Sequence, residues 1–140
     1  MRLSGPLVEG SVLSAGWAKF GRMERMRVII AGGRDIDPPS KTFWRFLAES
    51  GFDIDCVLSG GATGIDAHGE MYALANGIPL ETYPAEWDKH GKAAGPLRNA
   101  QMARNADALI LIWNGKSKGS RNMLQAAVGQ NLKIHQVIWA

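Results

Sequence analysis

Ser59-Gly60-Gly61-Ala62-Thr63-Gly64-Ile65-Asp66 lies between a short apolar run, Cys56-Val57-Leu58, and a helix-like segment over 66–76. Strand, glycine turn and helix in that order turn free backbone N–H groups and the positive end of a helix toward one point. That arrangement favours an anion, most often a phosphate. Asp66 at the helix start either stabilises the helix dipole or contacts a ribose hydroxyl.

The same grammar recurs along the chain. The run 27–31 (Arg-Val-Ile-Ile-Ala) has the apolar, β-branched character of a buried strand and ends on Gly32-Gly33-Arg34-Asp35. Pro38 and Pro39 punctuate the loop, and Ser40 is expected to cap a helix over 41–49 with Phe43, Phe46 and Leu47 facing inward and Gly51 stopping it. A second strand spans 53–58. In the helix after the glycine turn, Ile65, Met71, Tyr72 and Leu74 are the expected packing residues, and Gly77 ends it. A third strand follows over 78–83, then a long loop over 84–95. Pro96 suits the first turn of a helix running to about 105. Residues 108–113 form a strongly apolar fourth strand, 114–119 a Gly/Lys/Ser loop, 120–130 a helix and 132–138 a fifth strand.

Strands alternating with helices imply an α/β fold, a parallel sheet with helices on both faces. In such sheets ligands bind at the carboxyl ends of the strands, where strand order reverses. The glycine loops after the first, second and fourth strands would all lie on that edge, which points to one shared cleft.

Composition bounds the rest. A chain of 140 residues, 46% apolar and 21% charged, suits one soluble globular domain. The net charge of +3 is uneven: Arg2, Lys19, Arg22 and Arg25 against Glu9 and Glu24 give +2 to residues 1–25, leaving +1 for the remainder. Charge therefore lends little support to general nucleic-acid binding. Residues 1–25 show no sustained period and read as a poorly ordered leader, with 26–140 as the folded domain. The single cysteine, Cys56, excludes an intrachain disulfide and fits a reducing cytoplasm. No apolar run approaches the roughly 18–20 residues needed to cross a bilayer, and Gly5, Pro6, Glu9 and Gly10 interrupt any signal-like core. No membrane partner and no cofactor are expected.

Several motifs have two readings. Gly32-Gly33 lacks the dinucleotide spacing, so the pair either faces a ligand or makes a tight turn. Arg34 either holds a phosphate or pairs with Asp35. Gly115-Lys116-Ser117 is not a P-loop, because Ile110 stands where that motif needs glycine. Its N–H groups can still cradle phosphate. Trp87, His90, Lys92 and Arg98 lie in or beside the long loop. Trp87 either stacks on a base or anchors the loop. Arg98 either reaches the cleft or pairs with Glu86 or Asp88. His68, His90 and His135 are scattered, which argues against a zinc site.

Four segments together carry a resemblance: 27–35 (RVIIAGGRD), 59–66 (SGGATGID), 84–99 with its AGPLRN end, and 106–123 (ADALILIWNGKSKGSRNM). Over essentially 26–138 the chain resembles the YspA-type branch of the SLOG superfamily, relatives of which include the cytokinin-activating phosphoribohydrolases (lysine decarboxylase-like proteins) and DprA. The resemblance implies a Rossmann-like three-layer sandwich with a five-stranded, mainly parallel sheet, a nucleotide or nucleotide-derived ligand, and pairing of two copies as a homodimer. It assigns the phosphate loop to 114–123, with Gly119-Ser120 matching a Gly-Thr pair and Arg98 matching the arginine of the hydrolases. Their catalytic glutamate falls on or next to Asn122-Met123, where no carboxylate is present. An amide cannot stabilise an oxocarbenium-like centre as an anion does.

The expectation is therefore a domain that binds or senses a phosphate-bearing nucleotide derivative. Its site is drawn from Gly32, Gly33, Arg34 and Asp35; Ser59, Gly60, Gly61, Ala62, Thr63, Gly64 and Asp66; Trp87, Arg98 and Asn99; and Gly115, Lys116, Ser117, Gly119, Ser120 and Asn122. The alternative is a nucleoside 5′-monophosphate phosphoribohydrolase, with Arg98 as the best catalytic candidate and Asp66 or Glu86 supplying a carboxylate. Single-stranded DNA binding of the DprA kind ranks third, and nucleic acid is not the expected partner.

Overall fold

The computed structural model describes residues 25–139. The leader over 1–25 thus lies outside the described residues except for Arg25, which opens the first strand, pairs with Asp53 and bridges to Asp55 at 2.6 Å. The strands are β1 (Arg25–Gly32), β2 (Asp53–Ser59), β3 (Leu80–Thr82), β4 (Ala108–Trp113) and β5 (Lys133–Ile138). They form one sheet in the order β3-β2-β1-β4-β5, and every neighbouring pair is parallel. The third strand is shorter than its sequence pattern, because Pro79 and Pro84 flank it and neither can donate to a ladder.

Side chains alternate across this sheet. Val28, Ile30, Val57, Ala108, Ile110 and Ile112 face a layer made by α1 (Ser40–Ser50) and α2 (Ile65–Ala75). Ile29, Ala31, Leu58, Leu109, Leu111 and Trp113 face the opposite layer, and Cys56 is buried among them. Two short turns, α3 (Trp87–His90) and a 3-10 turn (Gly91–Ala93), lead into α4 (Ala94–Arg104). With α5 (Lys118–Gly129), α4 supplies Met102, Ala103, Met123 and Ala127 to this second layer. The result is an α/β, Rossmann-like three-layer sandwich.

Three local expectations are corrected. Ser40 is the first residue of α1 rather than its cap. Pro39 takes the cap position, and its carbonyl accepts the Phe43 N–H at 3.0 Å. Phe43, Phe46 and Leu47 do face inward, and Gly51 ends the helix in the left-handed conformation. In α2, Met71 and Leu74 are 67% and 75% exposed rather than packed. This helix lies on the sheet through Ile65, Gly69 and Ala73, and a Cβ at Gly69 would crowd Ile30. Close approach requires small residues on the inner face, which turns the larger ones outward. The segment 84–95 is not a loop without secondary structure, since it holds α3 and the 3-10 turn.

One polar contact fastens the edge. Arg27 on β1 reaches past β2 to Glu81 on β3, donating from Nη1 and Nη2 at 2.8 and 2.7 Å, while Tyr83 donates to the same carboxylate. These bonds from Arg27 hold the Glu81 carboxyl down to about 2. A depressed carboxylate contributes stability above its unfolded range near ~4.3 and loses it as pH falls toward the folded value. Glu81 is half-exposed, so the contribution is modest. Glu81→Gln is expected to destabilise the protein at pH 7 by less than about 1 kcal/mol. Urea unfolding of both proteins should show that difference shrinking between pH 5 and pH 3.

Candidate functional site

Strand order reverses between β1 and β4, and a cavity of about 530 Å³ opens at the carboxyl ends of these two strands. Its walls are the β1–α1 loop, the start of α2, the α3–α4 segment, and the β4–α5 loop with the first turns of α5.

The glycine loop after β2 fixes this geometry more than it lines it. Ser59 is fully buried and donates from Oγ to Glu70 at 2.6 Å, while accepting the Gly61 N–H at 3.1 Å. Thr63 donates to the Arg34 carbonyl at 3.2 Å. Gly64 has φ +72°, and the N–H of the following Ile65 donates to the Gly33 carbonyl. A Cβ on Gly64 would strike the carbonyl oxygens of Gly33 and Arg34. Ser59, Gly60, Gly61, Thr63 and Gly64 therefore stand behind the cavity wall, whereas Ala62 and Asp66 line it.

Arg98 joins the walls. Its Nη1 donates to the Gly60 carbonyl at 2.7 Å and to the Tyr83 carbonyl at 3.4 Å, and its Nε donates to Asn99 Oδ1 at 2.9 Å. Asn99 in turn donates to Asn122 Oδ1 at 3.0 Å and to the Gly119 carbonyl at 3.5 Å. One polar chain thus runs from the β2 loop through α4 to the first turns of α5. Arg98 turns inward rather than pairing with Glu86 or Asp88, and burial lowers its pKa against the opposing pull of Asp66. Asp66 is only 7% exposed, and burial raises its pKa although the Ala62 N–H donates to Oδ2 at 3.2 Å.

The loop after β4 is preorganised. Asn114 Oδ1 accepts the N–H groups of Lys116 and Ser117, and Ser117 Oγ accepts the Ser120 N–H to cap α5. Asn114, Ser117, Gly119, Ser120 and Asn122 line the cavity, while Gly115 and Lys116 do not. Gly32, Gly33, Arg34 and Asp35 line the opposite side, and no ion pair joins Arg34 to Asp35 among the described residues. Trp87 also lines the cavity. Its ring would meet a Cβ on Gly95 at 3.3 Å, yet the residue stays 49% exposed, so it both anchors the segment and offers a ring face.

Several lining residues carried no signal of ligand chemistry. Ala31, Ile36, Met102 and Met123 are apolar, and Gly95 and Pro96 read as helix-start residues. Asn114 and Lys118 lie within the loop already singled out, and only their orientation was missing. Arg34, Lys92, Arg98 and Lys118 outnumber Asp35 and Asp66, leaving the lining two positive charges in excess. Among the described residues no group of three or more His, Cys, Asp or Glu side chains comes together to hold a metal, and no helix is long and apolar enough to cross a membrane.

This arrangement can be set beside known proteins. A model of the YspA, cpYpsA-related SLOG family (YAcAr) matches residues 26–90. The gene 61 protein of Mycobacterium phage D29 is 33% identical over 111 residues, covering 72% of this chain and 87% of that protein. The chain belongs to the YspA, cpYpsA-related SLOG family. Among solved structures, DNA processing protein A (DprA) of Streptococcus pneumoniae superposes with a TM-score of 0.64 at 19% identity. That match covers 81% of this chain and half of the DprA chain, and it establishes a shared fold. The cavity of this SLOG domain lies at the sheet edge where its three glycine loops meet.

Two substitutions separate the scaffold from the cavity wall. Gly64→Ala forces a side chain into the left-handed region against two carbonyls, so a loss of about 1–3 kcal/mol or more is expected in thermal or urea unfolding. Asp66→Asn is expected to stabilise. A raised carboxyl pKa favours the fold below the unfolded value near ~3.9 and loses that contribution as pH rises through the folded value. The stability gain of Asp66→Asn over wild type should therefore grow from pH 3 to pH 7.

Proposed function

We propose that this domain binds a nucleotide or nucleotide-derived ligand, its phosphate held at the first turn of α5. The observation that carries the reading is the capped, preorganised turn Asn114–Ser120 facing a cavity with two surplus positive charges. Free N–H groups at a helix start attract an anion, and Lys118 and Lys92 stand on the same lining. The volume of about 530 Å³ fits a small-molecule ligand. Membership of the SLOG family supports a nucleotide-related role.

Binding without hydrolysis is the form we favour. Asn122 is tied to Asn99, which is tied to Arg98. By the family resemblance the carboxylate of the superfamily's hydrolases would fall on or next to Asn122-Met123, and neither residue is an acid. Asp66 stands on the far side of the polar chain, as the alternative carboxylate, and Glu86 is not on the cavity lining. The likeness of fold to DprA, a DNA-processing protein, favours including DNA among the ligands tested.

Calorimetry with nucleoside 5′-monophosphates, ADP-ribose and a short single-stranded DNA tests the reading. Gly119→Asp is the diagnostic variant. A Cβ there meets open space, and an acid in the first turn suits the helix dipole, so folding is retained. The carboxylate should weaken phosphate-bearing ligands at least about tenfold by like-charge repulsion. Wild-type protein that binds none of these ligands, or a variant that binds them equally, would overturn the proposal. Incubation with the monophosphates should release no free base.

A further inference from the structure

The α5 turn accounts for an anionic group, yet the cavity also holds a second set of polar atoms that an anion does not suit. Asp66 is 7% exposed, lines the cavity and spends only Oδ2, on the Ala62 N–H. No donor among the described residues reaches Oδ1. Arg98 spends Nε and Nη1 on Asn99, Gly60 and Tyr83, and Nη2 has no hydrogen-bond partner among the described residues.

These two groups share one small space. A Cβ on Gly60 would collide with Arg98 Nη1 and lie 2.9 Å from Asp66 Oδ2, so a residue without a side chain is what lets acid and guanidinium flank the same point. They do not form a direct ion pair; Arg98 is instead held by backbone carbonyls and an amide. An acceptor atom and a donor atom without protein partners are left on two adjoining residues that both line the cavity and are jointly neutral.

A phosphate at this point would face the Asp66 carboxylate, which repels it. A neutral group carrying a donor and an acceptor together satisfies both atoms. Vicinal hydroxyls do so, since each hydroxyl both donates and accepts.

Resting on the nucleotide reading above, we propose that Asp66 and Arg98 read the ribose diol of the ligand. Asp66 Oδ1 accepts a hydrogen bond from one hydroxyl, and Arg98 Nη2 donates to the neighbouring hydroxyl oxygen. The pair makes the site selective for ribo- over deoxyribo-ligands. A site built to hydrogen-bond a hydroxyl rejects the analogue lacking it, because its buried polar atoms are then unpaired.

The test is calorimetric titration of the wild-type chain with the four ribonucleoside 5′-monophosphates and their 2′-deoxy and 2′,3′-dideoxy counterparts. The ribo form should bind about 10- to 100-fold more tightly than the dideoxy form, as expected for hydrogen bonds to charged groups. Asp66→Ala should lower ribonucleotide affinity and bring that ratio close to one. Asp66→Asn keeps an acceptor for the Ala62 N–H and exchanges Oδ1 for an amide N–H₂, so it should lower the ratio while retaining the fold. Gly119→Asp should weaken both series alike and leave the ratio intact. Equal binding of ribo and dideoxy forms overturns this proposal alone, as does affinity that follows the base and ignores the sugar. No binding of any nucleotide overturns it together with the reading on which it rests.

Discussion

The hydrogen bond from Arg98 Nη1 to the Gly60 carbonyl holds the cavity in shape. It spans from α4 to the loop after β2, and it forms only because Gly60 presents no Cβ to the guanidinium. The same side chain fixes Asn99, and Asn99 fixes the start of α5 through Asn122 and Gly119. Three segments far apart in sequence therefore take their relative positions from one half-buried cation. Burial makes such a group costly unless its donors are used, and here backbone carbonyls and an amide use Nε and Nη1. An arginine spent in this way is part of the wall before any ligand arrives, which is the preorganisation that lowers the cost of binding.

The sheet beneath needed no such device to be legible. Five apolar runs separated by helix-like segments imply parallel pairing, whereas the reversal between β1 and β4 is visible only in the folded order β3-β2-β1-β4-β5. Residues 28–31 and 108–113 are buried on both faces, so their signal is nearly continuous hydrophobicity. The failures have the same physical origin. Helix α2 is apolar almost all round, so hydrophobicity alone does not say which face packs. The decision falls to Gly69 against Ile30, a steric fact between two segments that periodicity does not register. Likewise Ser40 looked like a cap because of its residue type, while Pro39 took the position through its carbonyl.

At the site, the sequence located the loops but not the division of labour among their residues. Ser59, Gly60, Gly61, Thr63 and Gly64 have the composition of a phosphate cradle, yet polar atoms of Ser59, Thr63 and Gly60 are turned to Glu70, Arg34 and Arg98. Glycine serves there for close approach to other segments of the protein. The loop after β4, weaker as a motif because Ile110 breaks the P-loop spacing, is the one whose first helical turn faces the cavity. Which loop docks and which one receives depends on contacts between segments, and those are absent from a linear pattern.

Asp66 shows what such a site does to the balance of the fold. Its carboxyl is buried deeply enough for desolvation to outweigh the Ala62 N–H and the neighbouring guanidinium, so the charged form is disfavoured in the folded state. A wall shaped by packing alone would place an apolar or amide group here and avoid that penalty. Local rules of burial are broken at a cavity edge, beside a cation whose own burial is also unfavourable. Titratable groups perturbed by burial and by each other, within one concavity, are the signature by which candidate functional positions are found. The Gly60 gap explains how the two come to adjoin, and the proposed ligand, by satisfying both at once, would offset what their burial costs the fold.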